Sequence, residues 1–276
     1  MLQSILLAVD RSPFSRVAAA YGNYLAVELG AVLHAVHVDD TRQTEVGYYR
    51  AEGLGATLAA AASLSTHESR QGKRRNDDLL RPVKVRAMAD GVSCHVQVLS
   101  GVPAREVLSV AENSDIIVLG RHGESWTAGS KRLGAVVDTV LRRARQPVLL
   151  AGAEFESFRR VLLGFDGGKA ARGVLFYAME LAQRLTLPVL AVSVNANESK
   201  ARHQLDVVEQ YAEAHGVQVA TCTRSGHPVD ALLGIAQVDD LLTIGAFGEG
   251  RLHEWLAGST TATILQSAPQ ALLLHR

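Results

Sequence analysis

Continuous apolar runs, rather than alternating ones, recur along the first half of the chain. They are ILLAV (5–9), AVLHAVHV (31–38), HVQVL (95–99), DIIVLG (115–120) and PVLLA (147–151). A strand that is apolar on both faces is typical of a parallel sheet covered by helices on both sides. Between the runs lie helical patterns, and Ser12 followed by Pro13 is typical of a helix start. The pattern predicts an open α/β sheet in which strands and helices alternate.

The strand segments of the first half return in the second half. The matching pairs are ILLAVD (5–10) with VLLGFD (161–166), AVHV (35–38) with AVSV (191–194), SGVPAREVL (100–108) with SGHPVDALL (225–233), DIIVLGRHG (115–123) with DLLTIGAFG (240–248), and ARQPVLLA (144–151) with APQALLLH (268–275). The repeats predict two tandem domains, 1–152 and 159–276, joined by the short linker GAEFESF. Because the linker is short, we expect the two domains to pack closely.

The first half carries a long insertion, at about 41–91, between its second and third strands. Its alanine-rich part, GLGATLAAAASL (53–64), favours a helix. Its basic part, RQGKRRNDDLLRPVKVR (70–86), would be either an anion or nucleic-acid patch or a solvated surface. Two aspartates, Asp77 and Asp78, lie inside this basic part and no aromatic residue is interleaved. The solvated surface is therefore the preferred interpretation.

Charge and cysteine content narrow the class of protein. Lys and Arg together number 28, as do Asp and Glu, so the net charge is zero and nothing attracts the chain globally to nucleic acid or to an anionic membrane. The two cysteines, Cys94 and Cys222, cannot build a disulfide framework, which favours a reducing compartment. No secretion signal or membrane-spanning apolar stretch is apparent. We expect a cytoplasmic protein that binds neither nucleic acid nor membrane.

A glycine-rich segment, GAFGEGRLHEWLAGST (245–260), follows the fourth predicted strand of the second half. Gly245 and Gly248 would let backbone approach a ligand without obstruction by a Cβ atom. In open α/β sheets, ligands bind beyond the carboxyl ends of the strands, so these glycines should converge with Asp166, which ends the first strand of that half. The alternative is that both glycines serve only a tight turn.

The segment ends in Gly258, Ser259 and Thr260, directly before a predicted helix. The free N–H groups and the dipole of a helix N-terminus attract phosphate, and two hydroxyls would add donors. Ser259 could equally be a plain N-cap. Neither a G-x-x-x-x-G-K-[ST] loop nor a G-x-G-x-x-G fingerprint is present, so the residues alone leave nucleotide binding and a structural role open.

The combination of motifs resembles the universal stress protein family. It consists of a strand-ending Asp, G-x-P after the third strand, and G-x2-G-x9-G-[ST] after the fourth. The resemblance covers nearly the whole chain as two tandem copies and is weakest across 41–91. It implies two Rossmann-like domains, each an open parallel sheet of five strands in the order 3-2-1-4-5 with helices on both faces. It also implies an internal pseudo-dimer through the fifth strands, and leaves further pairing into a homodimer open.

Many members of that family bind ATP in the crevice at the strand ends, and others lack the motif and bind none. The resemblance implies these nucleotide-binding residues in the second half: Asp166, Val194, Gly245, Gly248, Gly258, Ser259 and Thr260. Asp166 would face the ribose or a metal near the phosphates, so ATP would bind with Mg²⁺ at this carboxylate. Val194 would offer backbone to the adenine, and the glycines and hydroxyls would wrap the ribose and phosphates.

The first half departs from the motif. It keeps the counterparts Asp10, Val38, Gly120, Gly123 and Gly134. Ten residues rather than nine separate the last two glycines, and Ala135 stands where Ser or Thr is expected. We expect a degenerate nucleotide site in this half.

Three functions remain open. The preferred one is a nucleotide-dependent stress-response or signalling module that binds ATP and an unknown protein partner. The first alternative is a slow ATPase or phosphoryl-transfer enzyme. The second alternative is a structural homologue that binds no nucleotide. Turnover needs a base beside a positioned nucleophile, and the sequence offers no convincing one. No catalytic residue is therefore predicted, and whether ATP is hydrolysed stays open.

Overall fold

The computed structural model describes residues 2–41, 77–124, 126, 133–246 and 260–276. The strands among them are β1 (Ser4–Ala8), β2 (Val32–Asp40), β3 (Cys94–Gly101), β4 (Ile116–Leu119), β5 (Val148–Leu150), β6 (Arg160–Gly164), β7 (Val189–Val194), β8 (Val219–Arg224), β9 (Asp240–Gly245) and β10 (Leu272–His275). The helices are α1 (Pro13–Leu29), α2 (77–89), α3 (Pro103–Ala111), α4 (Ala135–Arg143), α5 (Lys169–Arg184), α6 (Glu198–Ala214), α7 (Pro228–Leu233) and α8 (Thr260–Ser267).

The strands form one sheet in the order β3-β2-β1-β4-β5-β10-β9-β6-β7-β8. Within each half all neighbouring strands run parallel, and the order is 3-2-1-4-5 in both halves. The two halves meet where β10 pairs with β5 in the antiparallel direction, with Leu273 opposite Leu149. The predicted fold and its pseudo-dimeric packing are confirmed.

Local sequence explains where the helices begin and which face they bury. The Ser12 side chain accepts a hydrogen bond from the Ser15 amide at the start of α1, and Pro13 is the first helical residue. The same helix ends at Gly30, whose φ of +59° is the left-handed conformation that glycine adopts most readily. In α5 the apolar residues that recur at helical spacing from Val174 to Ala182 are buried.

The core consists of two apolar layers, one on each face of the sheet, and each layer continues across both halves. Along β1 the residues alternate between them: Ile5 and Leu7 belong to one layer and Leu6 to the other. Their counterparts in β6, Leu163 and Leu162, join the same two layers. The duplicated halves therefore share one continuous core on each face.

Helix α2 lies inside the segment that the sequence marks as an insertion. Helix α6 occupies the same place in the second half, so the predicted range 41–91 includes a crossover helix common to both halves. The alanine-rich segment 53–64 lies outside the described residues. The described part of the basic stretch is helical and its cations Arg81, Lys84 and Arg86 are exposed, and the solvated-surface interpretation stays a prediction.

The linker between the halves packs against α1 through aromatic side chains. The Phe158 ring stacks on Tyr21 at 5.4 Å between centroids, and Phe155 contacts the same ring edge-on at 4.9 Å. Both phenylalanines also contact Tyr24. The Tyr21 hydroxyl donates to the Glu154 carbonyl at 3.2 Å. The linker is thus part of the packed structure.

No helix among the described residues is long and apolar enough to cross a membrane.

Candidate functional site

The carboxyl ends of three neighbouring strands in the second half bring together the predicted site residues that the structure describes. Val194 is the last residue of β7, Gly245 is the last residue of β9, and Asp166 follows β6, which lies between them. The register aligns these ends, because Gly164 of β6 is opposite both Val192 and Ile244. The described members of the predicted set therefore share one edge of the sheet.

Asp166 is exposed at this edge and shapes the loop that leads into α5. Its Oδ1 accepts a hydrogen bond from the Gly168 amide at 2.8 Å. Gly167 between them has a φ of +75°, a conformation that few other residues adopt. Arg172 donates from Nε to the Gly167 carbonyl at 3.1 Å. This local turn presents an exposed carboxylate beside the strand ends.

Two polar side chains that were not predicted as site residues, buried Ser193 and half-buried Gln204, hold this loop in place. Ser193, fully buried in β7, donates to Gln204 Oε1 at 2.7 Å, and the Gln204 amide donates to the Asp166 carbonyl. In the first half the loop after the first strand is held by His37, the counterpart of Ser193. Its Nδ1 donates to the Val9 carbonyl at 2.8 Å. A polar residue inside an otherwise apolar strand is the signal that could have identified both.

The structure gives a packing reason for the glycines that follow the fourth strands. A Cβ atom on Gly245 would lie 2.6 Å from the carbonyl carbon of Ala170 and closer still to the Ala171 amide, in the first turn of α5. A Cβ atom on Gly120 would lie 2.9 Å from the Phe14 carbonyl carbon. Close approach of a helix is therefore a reason for glycine at this position in the described structure, and the approach of a ligand to Gly245 stays a prediction.

Helix α8 begins at Thr260, in agreement with the predicted helix start after the glycine segment. The remaining predicted members of the phosphate cradle, Gly248, Gly258 and Ser259, lie outside the described residues. Their roles stay predictions. The described part of the second-half site therefore comprises Asp166, Val194, Gly245 and Thr260.

In the first half the corresponding residues are packed against one another. A Cβ atom on Gly123 would lie 3.2 Å from Asp10 Oδ2, and one on Gly134 would lie 3.3 Å from the Gly123 amide nitrogen. Asp10 Oδ1 accepts from both the amide and the hydroxyl of Ser12, at 3.0 and 2.5 Å. Val38 lies in the neighbouring strand β2. The Asp10 carboxylate is therefore already engaged by its own loop and by Ser12.

An aromatic cluster, formed by Phe14, His122 and Trp126, covers the same strand ends. The ring centroids lie 4.9 to 5.2 Å apart. Burial, and to a smaller extent the charge of Arg121, lowers the pKa of His122, so a neutral imidazole is favoured within the cluster.

Arg121 and Arg184 are charged side chains that donate hydrogen bonds across the boundary between the halves. Arg121 is 8% exposed, and burial lowers the pKa of its guanidinium to about 10. It is therefore still charged at neutral pH. Arg184, at the end of α5, donates to the Leu2 carbonyl at 3.2 Å and to the Leu29 carbonyl, which ends α1. Arg121 in turn donates to carbonyls at the end of α8, among them Leu265, so each half contributes an arginine to a helix end of the other.

Among the described residues, no group of three or more His, Cys, Asp or Glu side chains could hold a metal ion by itself. Both Cys94 and Cys222 are free thiols. An Mg²⁺ at Asp166 would therefore need oxygen ligands from a bound nucleotide or from water, in keeping with how Mg²⁺ usually binds.

Comparison with known proteins agrees with this fold over the full chain. The model of the universal stress protein family matches residues 1–152. A universal stress protein of Synechocystis is 25% identical over 287 aligned residues and covers 100% of both chains. One of Methanocaldococcus jannaschii is 31% identical over 154 residues, which cover 54% of this chain and 82% of that protein.

The solved structure of a universal stress protein from Archaeoglobus fulgidus has a TM-score of 0.76 at 20% identity. The alignment covers 99% of this chain and 97% of that one, so it supports the same two-half architecture. With the family model, the curated relatives and the strand order in agreement, the chain belongs to the universal stress protein family.

Proposed function

We propose that the chain binds one ATP, in the second half, and acts as a nucleotide-dependent module of a stress response or signalling pathway. The observation that carries this proposal is the difference between the two clefts. In the second half Asp166 is exposed at the strand ends beside Val194. In the first half Asp10 is engaged by Ser12 and an aromatic cluster covers the strand ends.

The chemistry of the described residues fits an adenine nucleotide. An exposed carboxylate at Asp166 can accept hydrogen bonds from ribose hydroxyls or bind Mg²⁺ near the phosphates. Backbone at Val194 can hydrogen-bond the adenine edge. The start of α8 at Thr260 has the free N–H groups and positive dipole end that favour phosphate. Gly248, Gly258 and Ser259 complete the proposed cradle on sequence grounds.

Binding rather than catalysis is the proposed activity, and a cytoplasmic location is part of it because both cysteines are free thiols. Slow hydrolysis remains the alternative, and the protein partner that would respond to the nucleotide is unidentified. A turnover number in the ordinary enzyme range, about 1–10³ per second, would contradict the proposal of a binding module.

Isothermal titration with Mg–ATP tests the proposal directly. We expect a stoichiometry near one per chain, which Gly248→Val abolishes because a branched side chain would enter the phosphate cradle. Gly123→Val, at the matching position of the first half, is the matched control and should leave the nucleotide stoichiometry unchanged. Two equal sites per chain would refute the proposed difference between the halves.

The same titration distinguishes whether Asp166 lies near the metal and phosphates or binds the ribose. If the carboxylate lies near the metal and phosphates, Asp166→Ala weakens Mg–ATP binding more than adenosine binding. Equal loss for both ligands places the carboxylate on the ribose.

A further inference from the structure

The guanidinium of Arg121 joins the two halves at the end of one helix. Its Nε donates to the Ala151 carbonyl at 3.0 Å, and its Nη1 donates to the Leu265 carbonyl at 3.3 Å and to the Ala268 carbonyl. Its Nη2 donates to the Gln270 carbonyl. Three of these four acceptors lie in the last turn of α8 or just after it. A planar, charged donor that binds several carbonyls fixes both the position and the orientation of the chain it holds.

The contact is favourable although the charge is buried. The C-terminal end of a helix carries partial negative charge on carbonyls that lack partners within the helix. In the described structure this guanidinium donates to four backbone carbonyls, of which three lie in the last turn of α8 or just after it and one, Ala151, follows strand β5. The cation therefore satisfies helix-end acceptors while four of its five N–H donors are paired, and such pairing reduces the penalty for burying a charge.

The two halves bind this helix end with arginines from different positions of the repeat. The position that corresponds to Arg121 in the second half is Ala246. The end of the first-half helix α4 is instead bound by the exposed Arg276, which donates from Nη1 to the Arg142 carbonyl at 2.7 Å. Helix α4 also begins with Ala135, whereas α8 begins with Thr260. The helix that starts with a hydroxyl residue is thus bound at its end by a buried guanidinium that contacts three carbonyls there, whereas α4 is bound by an exposed arginine.

We propose that Arg121 is a positioning residue that, from the first half, holds helix α8 of the second half in the orientation needed for phosphate binding at its N-terminus. The proposal rests on the proposed function as far as phosphate is concerned. Helix α8 has 8 residues and is therefore about 12 Å long. Over two turns a helix moves as a rigid unit, so a shift at its held end is transmitted to Thr260.

Hydrogen exchange of the ligand-free protein tests the positioning by itself. In Arg121→Ala we expect amides 264–268 to exchange about tenfold faster or more relative to those of β6, the size expected when a charged group's hydrogen bonds are lost. Arg184→Ala is the matched control, because it removes another arginine that binds carbonyls across the boundary but touches α1 instead. It should accelerate exchange at the end of α1 and leave α8 unchanged. Equal effects of the two variants on α8 would overturn the proposal.

Nucleotide binding tests the consequence for the site. We expect Arg121→Ala to weaken ATP binding about tenfold and to leave adenosine binding nearly unchanged, because adenosine has no phosphate for α8 to meet. A general loss of structure would weaken both ligands alike and would count against a positioning role. Arg121→Lys, which keeps the charge but not the planar fork, should give an intermediate loss, and it replaces the alanine variant if that variant does not fold. If the native protein binds no ATP, the proposed function fails and the exchange experiment alone decides the role of Arg121.

Discussion

Gly245 shows that one residue of a sequence motif can be required for packing as well as for a ligand. In the structure the backbone of α5 passes so close to the end of β9 that a Cβ atom there would overlap Ala170 and Ala171. Motif spacing identified the position but not this reason, because the close approach depends on how a helix distant in sequence packs. The same holds for Ser193, which donates to Gln204, and for Gln204, which donates to the Asp166 carbonyl, because both hydrogen bonds form only in the folded chain.

Gly245→Ala should therefore destabilise the protein even without any ligand. Forcing a methyl group against helix backbone costs about 1–3 kcal/mol, and a urea melt of the ligand-free protein measures it. Gly22→Ala is the control, since a Cβ atom at Gly22 would meet only leucine methyl groups at an ordinary 3.5 Å. An unchanged urea midpoint for Gly245→Ala would show that this glycine serves the ligand alone.

At the scale of elements, the apolar runs and the repeat predicted the strands and the two halves, whereas the strand order and the pairing of the last strands were implied by the family resemblance. Strand positions follow from burial and local turn chemistry, which a sequence shows directly, but the order of strands in a sheet depends on contacts between distant segments. The packing of the linker was not predicted, since the contacts of Phe155 and Phe158 with Tyr21 and Tyr24 join segments more than a hundred residues apart.

Phe158→Ala tests how much that linker packing contributes to the free energy of unfolding. The side chain is 6% exposed and stacks on Tyr21, so its truncation should cost about 3–5 kcal/mol in an equilibrium unfolding experiment. Phe176→Ala removes the same ring from a position that is 45% exposed and should cost far less. Similar losses from both variants would mean that the linker contributes little to the fold.

For the whole molecule, the seam between β5 and β10 decides whether the halves act as one unit. Leu273 is fully buried there, opposite Leu149. Leu273→Lys places an uncompensated charge in the seam, which costs about 3–5 kcal/mol and should lower the thermal midpoint or prevent folding. Val238→Lys, at a residue that is 62% exposed, is the control and should leave the midpoint unchanged.

Proteolytic nicking within residues 152–158 gives the complementary measurement on the native protein. The nicked halves should elute together on gel filtration, because both core layers and the sheet continue across the boundary. Separation of the halves without denaturant, together with a stable Leu273→Lys variant, would contradict the shared core.

The antiparallel pairing of β5 with β10 also determines the directions in which the two clefts open. Because the strands of one half run opposite to those of the other, the carboxyl ends of the two sets of strands face opposite sides. The two clefts therefore open away from each other, one covered by Phe14, His122 and Trp126 and one with Asp166 exposed. A pair of identical single-domain chains would look the same from both sides. Because the two fused copies are unequal, the two sides of this protein differ. A macromolecule that docks on one side therefore meets only one kind of cleft.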